Sequence, residues 1–106
     1  PLYRFRGKLV KTGSSSVTVN VNGGNDRALR LLVGADDVQS FAVGPETIFL
    51  LWQGKVPTVI AASQLKVGDR VVVRIRAAAH STLAQVEATA AVHVGEHEPA
   101  ATAVTS

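Results

Sequence analysis

The 106-residue sequence contains no cysteine and no methionine, and only 5% of it is aromatic. Without cysteine there is no disulfide, no thiol nucleophile and no cysteine-held zinc or iron–sulfur centre. With one Trp, one Tyr and three Phe, a core has to be built mainly from Val, Leu, Ile and Ala. Charged residues make up 18% of the chain and hydrophobic residues 46%, a composition that folds rather than stays disordered. No apolar run approaches the ~20 residues of a membrane-spanning helix, so no transmembrane segment is expected. The lack of methionine in a chain that opens at Pro1 reads as a processed or excised chain, from which any signal peptide has already gone. The length is that of one domain.

What charge there is leans basic. Eleven Lys and Arg face eight Asp and Glu, for a formal net charge of +3. Two of the acids, Glu96 and Glu98, lie near the C-terminus. Such a surface attracts polyanions: nucleic acid, teichoic acid or a phospholipid face.

The patterning is mostly of period two, the mark of half-buried strands. In residues 3–10, Tyr3, Phe5, Gly7 and Leu9 fall on one face and Arg4, Arg6 and Lys8 on the other. Val17, Val19 and Val21 alternate with Thr18 and Asn20. Asn22-Gly23-Gly24-Asn25 has the composition of a hairpin turn, which makes residues 27–33 the return strand. Residues 34–40, with Asp36 and Asp37, read as a loop. Residues 47–52 are apolar almost throughout, as in a strand buried on both faces or one whose outer face meets a partner. Residues 54–57 break that run, residues 58–61 are placed to pair back, and residues 62–69 form a short helical turn and a tight turn. A strand over 70–76 and a final long strand over 83–94 complete the set. The folded domain is expected to span 1–94, with 95–106 a flexible tail that includes His97. The fold class is therefore all-β, with five to six strands, as in a small barrel.

The run Ser63-Gln64-Leu65-Lys66-Val67-Gly68-Asp69-Arg70-Val71, with its Leu-x-Val-Gly-Asp-x-Val motif, follows Pro45-Glu46-Thr47-Ile48. Together with the opening Phe5-Arg6-Gly7-Lys8-Leu9-Val10, it resembles a bacterial, often exported domain family of unknown function. Members of that family resemble oligonucleotide/oligosaccharide-binding (OB) barrels. The resemblance implies a small OB-like barrel with a short helical turn before the fourth barrel strand, in an extracytoplasmic setting. A lesser resemblance is to the haem chaperone of cytochrome c maturation, also OB-like, in which a His stands just past the last strand. His93 stands there in this chain, without that family's Lys-His-Asp-Glu-x-Tyr run.

No catalytic, metal or cofactor-binding group is expected. Asp36-Asp37 has no neighbouring His, no Gly-rich phosphate loop precedes a helix, and no Ser sits in a nucleophile elbow. His93 and His97 are four apart, but Gly95 and Pro99 oppose the helix that would make them a ligand pair. Two surfaces remain. Ile48, Leu50 and Trp52 share a face of their strand and are expected to form an interface with a protein partner or a second copy. Arg4, Arg6 and Lys8 from the first strand, with Arg70, Arg74 and Arg76 from the strand over 70–76, are expected to form a polyanion patch. OB domains usually bind nucleic acid across strands two and three, where this chain offers Val, Thr, Asn and Gly. The function expected is accordingly that of a non-catalytic binding or assembly module engaging protein or itself, the alternative being single-stranded nucleic-acid binding.

Overall fold

The computed structural model of the chain describes residues 1–97. The fold is all-β in class. Among the described residues seven strands form one sheet: β1 (Leu2–Thr12), β2 (Ser16–Gly24), β3 (Val38–Ala42), β4 (Ile48–Gln53), β5 (Val56–Ile60), β6 (Arg70–Arg76) and β7 (His93–His97). Two helices, α1 (Asp26–Leu31) and α2 (Leu83–Ala88), and a 3-10 turn at Ala62–Gln64 interrupt them. The strand order is β3-β2-β1-β6-β7-β4-β5. All neighbours are antiparallel except β7 and β4, which run parallel.

Strict alternation in β1 buries Tyr3, Phe5 and Leu9 and leaves Arg4, Arg6 and Lys8 exposed. The inner faces of β2 and β6 add Val17, Val19, Val21, Val71, Val73 and Ile75 to the same core. Phe41 of β3 is fully buried, with its ring centroid 4.6 Å from that of Phe5. It lies inside the core rather than beside the polar loop that precedes it in sequence. Ala28 of α1 and Val86 of α2 join the cluster, as do Leu65, Ala91 and Val94. At Gly7 β1 approaches β2 closely: a Cβ there would meet the Asn20 backbone and the Val19 side chain.

Two strands expected from alternation are helices. Residues 27–33 do not return along β2; instead β2 runs on through Gly24, and Asn25 caps α1. The Asn25 Oδ1 accepts from the Ala28 N–H at 3.1 Å, and its Nδ2 donates to the Leu2 carbonyl at 2.8 Å. This ties the helix start to β1, and Ala, Leu and Arg then carry the helix on good propensity. The stretch over 83–94 likewise divides. Thr82 and Gln85 form a capping box, with the Gln85 Oε1 accepting from the Thr82 N–H at 2.8 Å. The spaced Val and Ala residues of α2 mimic period two only because alanine fits either element.

Strand β3 occupies part of what reads in the sequence as loop, and β5 pairs with β4, so seven strands replace five to six. The 3-10 turn does precede β6. Asp69 holds the tight turn: its Oδ2 accepts from the Lys66 N–H at 2.8 Å. Strand β7 extends to His97, so residues 95–97 belong to the sheet and not to a tail. The remainder of the expected tail, 98–106, lies outside the described residues.

The segment before β7 contacts the strands on either side of the 43–47 link. The Ala91 N–H donates to the Ala42 carbonyl at 2.9 Å, at the end of β3, and the Ile48 N–H donates to the Val92 carbonyl at 3.0 Å, at the start of β4. Thr47 sits between them, its Oγ1 donating to the Ala91 carbonyl at 2.6 Å and accepting from the Gly44 N–H at 2.9 Å.

Candidate binding groove

Pairing of β1 with β6 sets the outward side chains of the two strands directly opposite one another. Arg4 faces Arg74, Arg6 faces Val72, and Lys8 faces Arg70. Residues of a non-hydrogen-bonded or hydrogen-bonded pair have their Cβ atoms only ~4.5–5.5 Å apart, and like charges there are destabilising. The fold holds two such pairs, on either side of the Arg6–Val72 rung. The Arg74 guanidinium is pushed below its usual basicity, first by burial and then by the charge of Arg4.

These side chains line a groove of about 620 Å³, together with Asn22 and His97. Among the described residues no acidic side chain lines it. Five of the six expected cations, Arg4, Arg6, Lys8, Arg70 and Arg74, are gathered there. Arg76 is not; it pairs with Leu2 at the far end of the seam.

The floor is made of small or flat residues. Val72 is only 7% exposed although it points outward. A Cβ on Gly23 would collide with the Arg6 guanidinium, which lies over that glycine. On the other side, a Cβ on Gly95 would be 3.2 Å from the Trp52 Nε1 and 3.9 Å from the Arg74 Nη1. The two glycines thus let a guanidinium and an indole lie down on neighbouring strands. Burial leaves the Trp52 Nε1 without a hydrogen-bond partner. The indole is parallel to the His97 ring, with 7° between planes and 6.1 Å between centroids. Asn22 enters the groove because the β1–β2 register slips between Arg6 and Gly7, leaving it as the extra residue of a bulge.

The apolar trio expected as an interface also faces outward. Ile48, Leu50 and Trp52 pair with His93, Gly95 and His97 of β7, so the trio is the lateral continuation of the groove's own face. Ile48 is 42% exposed, and Leu50 and Trp52 are half-buried. The other face of β4, with Phe49 and Leu51, is only half-buried as well, so the strand is not buried on both sides. Strand β5 lies beside β4 rather than over it, and its Val59 is 71% exposed.

His97, expected in the tail, is a strand residue, and it is the groove-lining residue that the sequence concealed. The one signal for it was period two: His93, Gly95 and His97 continue the outward set of β7. Among the described residues no group of three or more His, Asp and Glu side chains is arranged to hold a metal ion. Comparison with protein-family models, with curated proteins and with solved structures finds no match to this chain.

Proposed function

We propose that this domain is a non-catalytic binding module whose working surface is the cationic groove over β1, β6 and β7, and that it takes an extended polyanion. One observation carries the reading. Like charges stand directly opposite one another, Arg4 against Arg74 and Lys8 against Arg70, with no acidic side chain among the described residues of the lining. A fold gains nothing from that placement, whereas an anionic ligand does. Titration with inorganic polyphosphate over a range of salt tests it. Binding should weaken steeply as salt rises, and an Arg4→Gln/Arg70→Gln variant should lose most of it. Binding that is absent at low salt, or that survives the double substitution, ends the proposal.

We also read the sheet as an OB-like barrel. Taking β3 and β4 as one strand interrupted at 43–47, the pairings β2–β3, β1–β2, β1–β6, β6–β7 and the parallel β7–β4 run once around a ring. The Ala91–Ala42 and Ile48–Val92 hydrogen bonds support this reading. The likeness to exported OB-like domains supports an extracytoplasmic setting.

A second reading, assembly with a protein partner or another copy, is favoured by the apolar strip in which half-buried Leu50 lies between the exposed Ile48 and Val59. Such a partner would meet the face, not the edge. In the β4–β5 hairpin, Pro57 removes a backbone donor from the terminal strand. Light scattering that shows a dimer, converted to a monomer by Ile48→Ser/Val59→Ser, is the expected result. A monomer at high concentration rules out self-association.

A further inference from the structure

The groove cations stand on three successive rungs along the β1–β6 seam: Arg4 with Arg74, Arg6 beside Val72, and Lys8 with Arg70. Same-face residues on a strand recur every ~6.6 Å, close to the spacing of successive phosphates in an extended single strand. Glu96 pairs with Val71, so the next residue, His97, stands level with Arg70 on the third rung. Its ring lines the groove and is backed by the parallel indole of Trp52. A row of Lys8, Arg70, His97 and Trp52 therefore runs from charge to aromatic surface at one end of the seam.

Resting on the polyanion reading, we infer that the ligand is a single phosphodiester chain lying lengthwise along β1 and β6, one phosphate to a rung, with a planar base at the Lys8–Arg70 end stacked on His97. Stacking on an aromatic face is tolerant of base identity, since every base has such a face. The Asn22 amide, brought in by the bulge, lies within the same groove as a polar contact. The surface is a different one from strands two and three, and the direction is along the strands rather than across them.

Oligothymidylates of increasing length and a base-free phosphodiester strand of matching charge test the inference, read by the fluorescence of the single Trp, which lies behind His97. Affinity should rise with length to about four nucleotides and then level off. The log–log salt slope should be about −2, from three phosphates at roughly −0.7 each. His97→Ala should weaken the oligothymidylate about tenfold, within the range that stacking gives, and leave the base-free strand unchanged, while His97→Tyr should restore binding. His97 is exposed, so these variants fold. If both strands bind equally and His97→Ala changes neither, the base contact is wrong while the polyanion reading stands. Affinity that climbs without levelling off overturns the lengthwise register. If neither strand binds at low salt, both readings fall together.

Discussion

Strand β1 and the β4–β5 hairpin use the same local geometry to opposite ends. In β1 the alternating set divides cleanly: Tyr3, Phe5 and Leu9 are at most 1% exposed, and Arg4, Arg6 and Lys8 on the opposite face are cations in water. In β4 the residues are apolar on both faces, and none is fully buried. The difference follows from position in the sheet. β1 is central, flanked by β2 and β6, whereas β4 has only the terminal strand β5 on one side. A central strand must commit one face to the core. A strand near the end can carry apolar surface that its own domain does not finish covering, and that surface is open to another molecule.

The largest effects should separate these regions. Phe5→Ala removes a fully buried ring packed against Phe41 and is expected to cost about 3–5 kcal/mol, enough to unfold most small domains. Leu50→Ala, on the half-buried outer face of β4, should cost only about 1 kcal/mol. Chemical denaturation measures both. Equal losses would mean that the outer face of the hairpin is part of the core after all. Thr47→Val should fall between them, at about 1–3 kcal/mol. It keeps the shape but strands the Gly44 N–H and the Ala91 carbonyl, the contacts that join the β4 start to the segment before β7. A near-neutral result would remove that hydroxyl from the account of how the two halves meet.

The same contrast explains what could be read from the sequence. Arg4, Arg6, Lys8, Arg70 and Arg74 were legible as one patch because alternation with large apolar residues admits a single phase. Where the small residue alanine dominates, as at 84–91, period two and period 3.6 are both satisfied, and only the Thr82–Gln85 capping box distinguishes helix from strand. The Asn25 cap was hidden for a related reason, since Asn-Gly-Gly-Asn serves a hairpin turn as well as a strand end followed by a cap. The aromatic end of the groove was the least legible. Trp52 and His97 are far apart in sequence and meet only through the parallel pairing of β4 with β7, which no local pattern announces. Arg76 lies on the expected face, but one rung beyond the groove.

A smaller effect tests whether the charged face of β1 is maintained for binding. Arg70→Glu sets a carboxylate directly opposite Lys8, converting a repulsive pair to an attractive one. Stability should rise by about 0.2–1 kcal/mol, while polyanion affinity falls. Thermal melts and the polyphosphate titration, run on the same variant, should move in opposite directions. If the variant is less stable, Lys8 and Arg70 are held apart by contacts that already relieve their repulsion, and the main support for the groove is lost.

The smallest effect lies outside both regions, on α2. Burial raises the Glu87 carboxyl above its ordinary value of 4.5, so the folded state disfavours its charge. The sign follows directly. Above the folded value the unfolded chain carries the charge at less cost, and the native state is penalised. Below 4.5 the carboxyl is protonated in both states, and the penalty is gone. Glu87→Gln should therefore raise the melting temperature slightly at neutral pH, with the gain shrinking as pH falls through the carboxylate range. The side chain is only half-buried, so solvent screening keeps the effect to a fraction of a kcal/mol. The variant also leaves the groove untouched, and polyphosphate binding should be that of the unaltered chain. A loss of stability at neutral pH would show instead that the charged carboxylate makes a favourable contact in the folded state, and that burial is not what governs it.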